Sequence, residues 1–118
     1  MPSAPAPARV PPSEAPEALL LRLEASGLRG RGGGWFPAAR KWRAVRAEGG
    51  RPLVVANGAE GEPGSVKDRQ LLRTRSADIL AGLALAARAV GAAEAVVFLK
   101  GGFGREAEAV HAALAATP

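Results

Sequence analysis

The chain has 118 residues, 47% hydrophobic and 23% charged, the balance of one ordinary globular domain. It has no cysteine and a single histidine, which excludes disulfides, a thiolate-held iron–sulfur cluster and a histidine-built metal site within this chain. The net charge of +5 rests on thirteen Arg and three Lys. The basic cluster from Arg29 to Arg51 suits nucleic acid, an anionic membrane surface or a phosphorylated ligand, and charge alone does not choose among them.

Residues 1–16 are mostly Ala and Pro and predict a disordered extension, followed by an α/β domain over 17–118. No charged start leads into an apolar block, so no secretory signal is expected. The most apolar stretch, Ile79 to Val90, is too short to span a bilayer and contains Arg88, and a cytoplasmic location follows as the expectation. A helix is predicted from Glu17 to Gly27, with Pro16 in its first turn, Gly27 as its C-cap, and Leu19, Leu20 and Leu23 as its buried stripe. A glycine-rich loop, Leu28 to Pro37, leads to a short basic helix over Ala38–Ala47, which Gly49-Gly50 stops. Leu53–Ala56 reads as a buried strand, and Asn57–Ser65 as a loop of Gly and Glu. Helix follows from Lys67, and a stronger one runs from Ser76 to Val90, with Ser76 and Asp78 as candidate N-caps and Gly91 as C-cap. Ala95–Leu99 reads as a second strand, and a last helix spans Arg105–Ala116 after the turn at Gly101–Gly104. Two continuous apolar strands separated by helix indicate a βαβ unit with parallel strands. Ligands in such sheets bind beyond the carboxyl ends of the strands, where loops 57–65 and 101–104 lie.

Three motifs stand out, each with a plainer alternative. Glycines at 30 and 32–34 would let backbone N–H groups approach a phosphate, with Arg29, Arg31, Arg40 and Lys41 to neutralise it; the alternative is a flexible linker or an Arg–Gly tract that binds RNA. Asn57-Gly58-Ala59-Glu60-Gly61-Glu62-Pro63-Gly64 puts two carboxylates and an amide at a strand end, able to bind ribose hydroxyls or a carboxamide, or else to form a solvated turn. Gly102-x-Gly104-x-x-Ala107 matches the dinucleotide fingerprint, but the acidic position expected about twenty residues on falls beyond residue 118, and a plain glycine turn explains it better. His111 has no Ser or Cys motif to support catalysis. Trp35, Phe36 and Trp42 could stack on rings or pack on the core, and the charges from Lys67 to Arg75 read as a solvated helix face.

Taken together, Ser26-Gly27-Leu28-Arg29-Gly30-Arg31-Gly32-Gly33-Gly34-Trp35-Phe36-Pro37, Lys41-Trp42, the stretch Val54 to Gly64 and Lys67-Asp68-Arg69 resemble the NADH-binding FMN flavoprotein subunit family of respiratory complex I and related hydrogenases and formate dehydrogenases. The resemblance covers about residues 19 to 110. It implies a partial Rossmann-like, FMN-binding domain that also receives NADH as substrate. Gly30, Arg31, Gly32 and Gly33 would then lie in the nucleotide loop, Lys41 and Asn57 at flavin contacts, and Glu60 in the flavin loop. Glu62 would lie near the nicotinamide, Phe36 would stack on adenine, and Gly101 would sit at the flavin's edge. The flavin carries the chemistry, so no catalytic side chain is expected.

The sequence also departs from the family. The pair Gly34-Trp35 stands where the family has Ala-Gly, Ala59 replaces an Asp, Ala44 an aromatic, and Gly102 a Glu. These losses weigh on NADH binding more than on flavin binding. The chain alone is therefore expected to be an incomplete, inactive NADH dehydrogenase-type oxidoreductase component. A partner chain would complete the flavin domain or carry the iron–sulfur clusters, peripheral to a membrane complex. The alternative from a different class is a non-catalytic basic protein that binds nucleic acid or a protein partner through the Arg/Gly loop.

Overall fold

The computed structural model describes residues 14–30, 34–59 and 66–116. The elements run α1 (Pro16–Ser26), α2 (Ala38–Glu48), β1 (Leu53–Asn57), α3 (Lys67–Thr74), α4 (Ser76–Val90), β2 (Glu94–Phe98) and α5 (Gly104–Ala116). Each agrees with the sequence expectation to within a residue or two.

Helix α1 starts at Pro16, whose missing N–H costs nothing in a first turn, and ends at Gly27 in the left-handed conformation, φ +70°. Ahead of it, Glu14 accepts a hydrogen bond from Arg22 Nε at 2.6 Å. Leu19 and Leu20 are buried against Ala89 of α4, with Trp42 and Leu85 packed around them. Leu23, the third expected member of that stripe, is only half-buried. Of the three aromatics near the glycine loop, Trp42 therefore belongs to the core, while Trp35 and Phe36 are exposed.

The break between α3 and α4 falls at Arg75, and the two expected N-caps do not form there. The Ser76 hydroxyl donates back to the Leu72 carbonyl, and Asp78 accepts from Arg75 Nε at 2.6 Å. A hydroxyl four residues past a helical carbonyl can satisfy that carbonyl instead of capping forward, and here it does. Helix α4 ends at Gly91, φ +77°, where the Ala92 N–H donates to the Ala87 carbonyl at 2.8 Å.

Strands β1 and β2 pair in parallel, with Leu53 opposite Glu94 and Asn57 opposite Phe98. Helix α4 packs on both strands and also on α1, α2, α3 and α5, so it is the spine of the fold. The α4 side of the sheet carries the half-buried Val54, Ala56 and Val97. Leu53, Val55, Val96 and Phe98 alternate with them and are exposed, Phe98 at 58%. Among the described residues nothing covers that second face, whereas parallel sheets are ordinarily buried on both. No helix among the described residues is long and apolar enough to cross a membrane.

Candidate functional site

The glycine-rich segment is a closed loop at its base. Gly30 N–H donates to the Phe36 carbonyl at 2.8 Å, and Ala38 N–H donates to the Leu28 carbonyl at 2.9 Å, pairing Arg29 with Pro37 as an antiparallel bridge. Arg29 adds a long bond from Nη1 to the Trp35 carbonyl, 3.4 Å. Arg31, Gly32 and Gly33 lie outside the described residues. Trp35 has φ +46°, the left-handed region that L side chains avoid, and it stands at the position for which the resemblance gives glycine. The exposed Phe36 ring has the Arg40 guanidinium 5.2 Å and the Lys41 Nζ 5.5 Å from its centre, within cation–π range. Gly30, Phe36 and Lys41 thus form one exposed cluster at the start of α2.

The rest of the basic cluster is partly spent inside the protein. Arg43 bridges Glu17 at 2.7 Å and Glu24 at 3.2 Å on α1, and Arg46 donates to the Ala89 carbonyl at 3.3 Å.

A second cluster forms where the strands end. Gly58 continues β1 by one residue, its N–H donating to the Phe98 carbonyl at 2.8 Å. A Cβ there would lie 2.8 Å from Leu99 Cδ2 and 3.2 Å from the Phe98 carbonyl oxygen, so any side chain would have to displace Leu99 and crowd the strand pair. The Asn57 side-chain oxygen accepts the Ala59 N–H at 3.1 Å, an Asx turn that opens the loop. That bond fixes the amide's orientation, and the group Asn57 offers outward is its NH2, a donor. Across the sheet, Gly101 and Gly102 turn the chain after β2, with φ +92° at Gly102 and no atom within 4 Å of a Cβ at either. Their backbone is bare enough for a ring to reach van der Waals contact. A cleft of about 200 Å³ lies beside Asn57 and Gly58, walled by Leu71, Leu72 and Ile79, with Asp68 at its polar side. Glu60 and Glu62 lie outside the described residues.

Asn57 and Gly101 are therefore brought together at adjacent strand ends. Gly30, Phe36 and Lys41 are brought together at the start of α2, which packs on α1 and α4 and on neither strand.

The dinucleotide-like turn at Gly102–Ala107 resolves into something else. The helix N-terminus where a phosphate would sit is taken by the carboxylate of Glu106, only 1% exposed. Arg69 Nε donates to its Oε1 at 2.8 Å, and Arg73 Nε lies at 3.9 Å. The Arg69 hydrogen bond holds the Glu106 carboxyl below the usual carboxylate range, against the upward pull of burial, and the residue's own backbone N–H adds to the lowering. Arg69 also stacks on Phe103, 4.7 Å from the ring centre. The charges of α3 are thus not all free on a solvated face, because the half-exposed Arg69 bonds a buried acid and the exposed Arg73 lies near it. The signal in the sequence was weak: a Glu two residues after Gly104 reads as an ordinary first-turn acid.

The Nuo51 FMN-binding domain family matches residues 23–118. An NADH-quinone oxidoreductase subunit of Rhizobium meliloti (strain 1021) is 42% identical over 98 residues, covering 81% of this chain and 23% of that protein. The NAD-reducing hydrogenase HoxS subunit alpha of Cupriavidus necator is 41% identical over 87 residues, covering 73% of this chain and 14% of that one. The crystal structure of an NAD+-reducing [NiFe]-hydrogenase in the H2-reduced state superposes with a TM-score of 0.76 at 41% identity, over 83% of this chain and 17% of that one. This chain therefore spans less than a quarter of the length of these relatives, and within that span it belongs to the Nuo51 FMN-binding domain family.

Proposed function

We propose that the chain is an FMN-binding module of an NADH dehydrogenase-type oxidoreductase, with NADH as a substrate of the completed assembly. The observation that carries this is the juxtaposition of Asn57 and Gly101 at the carboxyl ends of two hydrogen-bonded parallel strands, the place where open α/β sheets bind ligands. The residues fit the cofactor. The Asn57 NH2 is a donor for a flavin carbonyl or ring nitrogen, and the bare backbone at Gly101 and Gly102 leaves room for a flat ring. Lys41 and Arg40 supply positive charge for phosphates, and Phe36 supplies an exposed ring for stacking. Arg31, Gly32, Gly33, Glu60 and Glu62 complete the proposed set.

When bound, FMN supplies the hydride-accepting ring, and the protein's part is orientation and electrostatics. With no cysteine, these 118 residues hold no thiolates for an iron–sulfur cluster. The exposed apolar face of Leu53, Val55, Val96 and Phe98 supports a partner layer, which would place the module in a larger complex, peripheral to a membrane or soluble. The nucleic-acid alternative has less to stand on, since Arg43 and Arg46 are engaged within the fold.

The test is a fluorescence titration with FMN, using riboflavin as the comparator. FMN should quench saturably and riboflavin should not, because only FMN brings a phosphate to the cationic loop. Asn57→Ala and Lys41→Ala should each weaken FMN about tenfold, the loss of one good polar contact. Equal quenching by riboflavin, or wild-type affinity in both variants, would sink the proposal.

A further inference from the structure

Two segments leave the carboxyl ends of the sheet, one running from Asn57 into α3 and one from Leu99 into α5. They are fastened to each other by side chains. Arg69, in the first turn of α3, donates to Glu106, in the first turn of α5, at 2.8 Å. Arg69 then lies over Phe103, and the Phe103 N–H closes the Lys100–Phe103 turn on the Lys100 carbonyl at 3.2 Å. Arg73, one turn further along α3, faces the same carboxylate oxygen at 3.9 Å. The other oxygen, Oε2, is buried without a hydrogen-bond partner among the described residues. A buried acid at 1% exposure is costly to keep, and a half-satisfied one more so. It also lies in the first turn of α5, where an acid is favoured by the helix dipole.

We propose that Glu106 and Arg69 form a positioning pair that locks the start of α3, whose Asp68, Leu71 and Leu72 wall the cleft beside Asn57, to the β2–α5 turn that carries Gly101. The consequence for ligand binding rests on the flavin reading above. The lock itself does not. Neither residue touches the cofactor in this proposal. The pair holds α3 and the β2–α5 turn in place beside the strand ends, and holding contact groups to within about half an ångström is what a supporting shell contributes to a binding site.

The experiment uses the full chain with Glu106→Gln, Arg69→Gln and the double variant. Glutamine keeps the shape of Glu106 and removes its charge. Amide exchange is followed in peptides covering Asn57–Ala59 and Val66–Arg69, in those covering Leu99–Phe103, and in α1 and α2 as the reference. Each single variant should speed exchange in the strand-end segments about tenfold while α1 and α2 stay at the wild-type rate, as expected for a local rather than a global opening. FMN affinity should fall about tenfold in each single variant and about tenfold, not a hundredfold, in the double, because two halves of one interaction are not additive. Additive losses would mean two independent structural residues and would overturn the pair. So would unchanged exchange at the strand ends, or a uniform loosening that includes α1 and α2. If the wild-type chain fails to bind FMN, the flavin reading fails, and the exchange pattern still decides whether the pair locks the two segments.

Discussion

At the α1–α2 end of the fold, the base of the Leu28–Ala38 loop is closed mainly by backbone, Gly30 to Phe36 and Ala38 to Leu28, with one long side-chain bond from Arg29 to the Trp35 carbonyl. At the sheet end, the two strand-end segments are held by side chains: Gly58 seated against Leu99 and Leu72, and Arg69 bonded to Glu106. The first device tolerates most side chains, because its two short bonds do not depend on them. The second tolerates almost none. A loop that varies in sequence can keep its shape in the first region, while in the second a single methyl group or a single charge is felt. Among the described helices and strands, α4 alone packs on both regions, and it is the element through which the two would be coupled.

The strongest way to break this comparison acts on that coupling. Leu20 is fully buried between α1 and α4, and Leu20→Ala removes a core side chain with little room for collapse around it. We expect a loss of about 3 kcal/mol in urea unfolding. Fluorescence of Trp42 reports the α1–α2 region, and amide exchange in β1 and β2 reports the sheet. The same loss by both probes would show one cooperative unit joined by α4. A loss confined to the Trp42 signal would mean that the two regions unfold separately.

Gly58→Ala tests the sheet region in the same way, at a smaller cost. The added methyl meets Leu99 Cδ2 at 2.8 Å and Leu72 Cδ1 at 3.0 Å, which can shift, and the Phe98 carbonyl at 3.2 Å, which is held in the strand pair. Overpacking of this kind costs about 2 kcal/mol. A neutral result would show that the strand ends give more freely than the packing around Gly58 implies.

The same contrast explains what could be read from the sequence. The backbone-held loop was legible because glycine, proline and the spacing of Gly27, Gly30 and Pro37 carry its geometry locally. The elements were legible for the same reason: Pro16, Gly27 and Gly91 stop and start helices by their own backbone preferences. The parallel strand pair followed from two apolar runs with helix between them. What escaped was the side-chain device. Arg69 and Glu106 are far apart in sequence, and each looks like an ordinary surface charge until α3 and α5 are packed together. Ser76 misled for a related reason, since its choice between capping forward and bonding back to Leu72 is made by the turn at Arg75. The candidate site divides the same way. Asn57 and Gly101 could be placed at strand ends from pattern alone, whereas the grouping of Phe36 with Arg40 and Lys41 needed α2 in place.

The smallest effect concerns Trp35, where the backbone-held loop carries a cost that should be separable from its side chain. At φ +46° an L residue is strained by roughly 1–2 kcal/mol relative to the right-handed region, and glycine is not. The indole is half-exposed, so its removal forfeits little burial. Trp35→Ala removes the ring and keeps the strain. Trp35→Gly removes both, and gives back part of the gain as extra freedom in the unfolded chain. Glycine should therefore be more stable than alanine at this position by about 0.5–1 kcal/mol, measured by urea unfolding with Trp42 as the remaining fluorophore. Alanine equal to or better than glycine would mean that the loop relaxes out of the left-handed conformation once the indole is gone. The ring, and not the backbone bonds at Gly30 and Ala38, would then be what sets its shape.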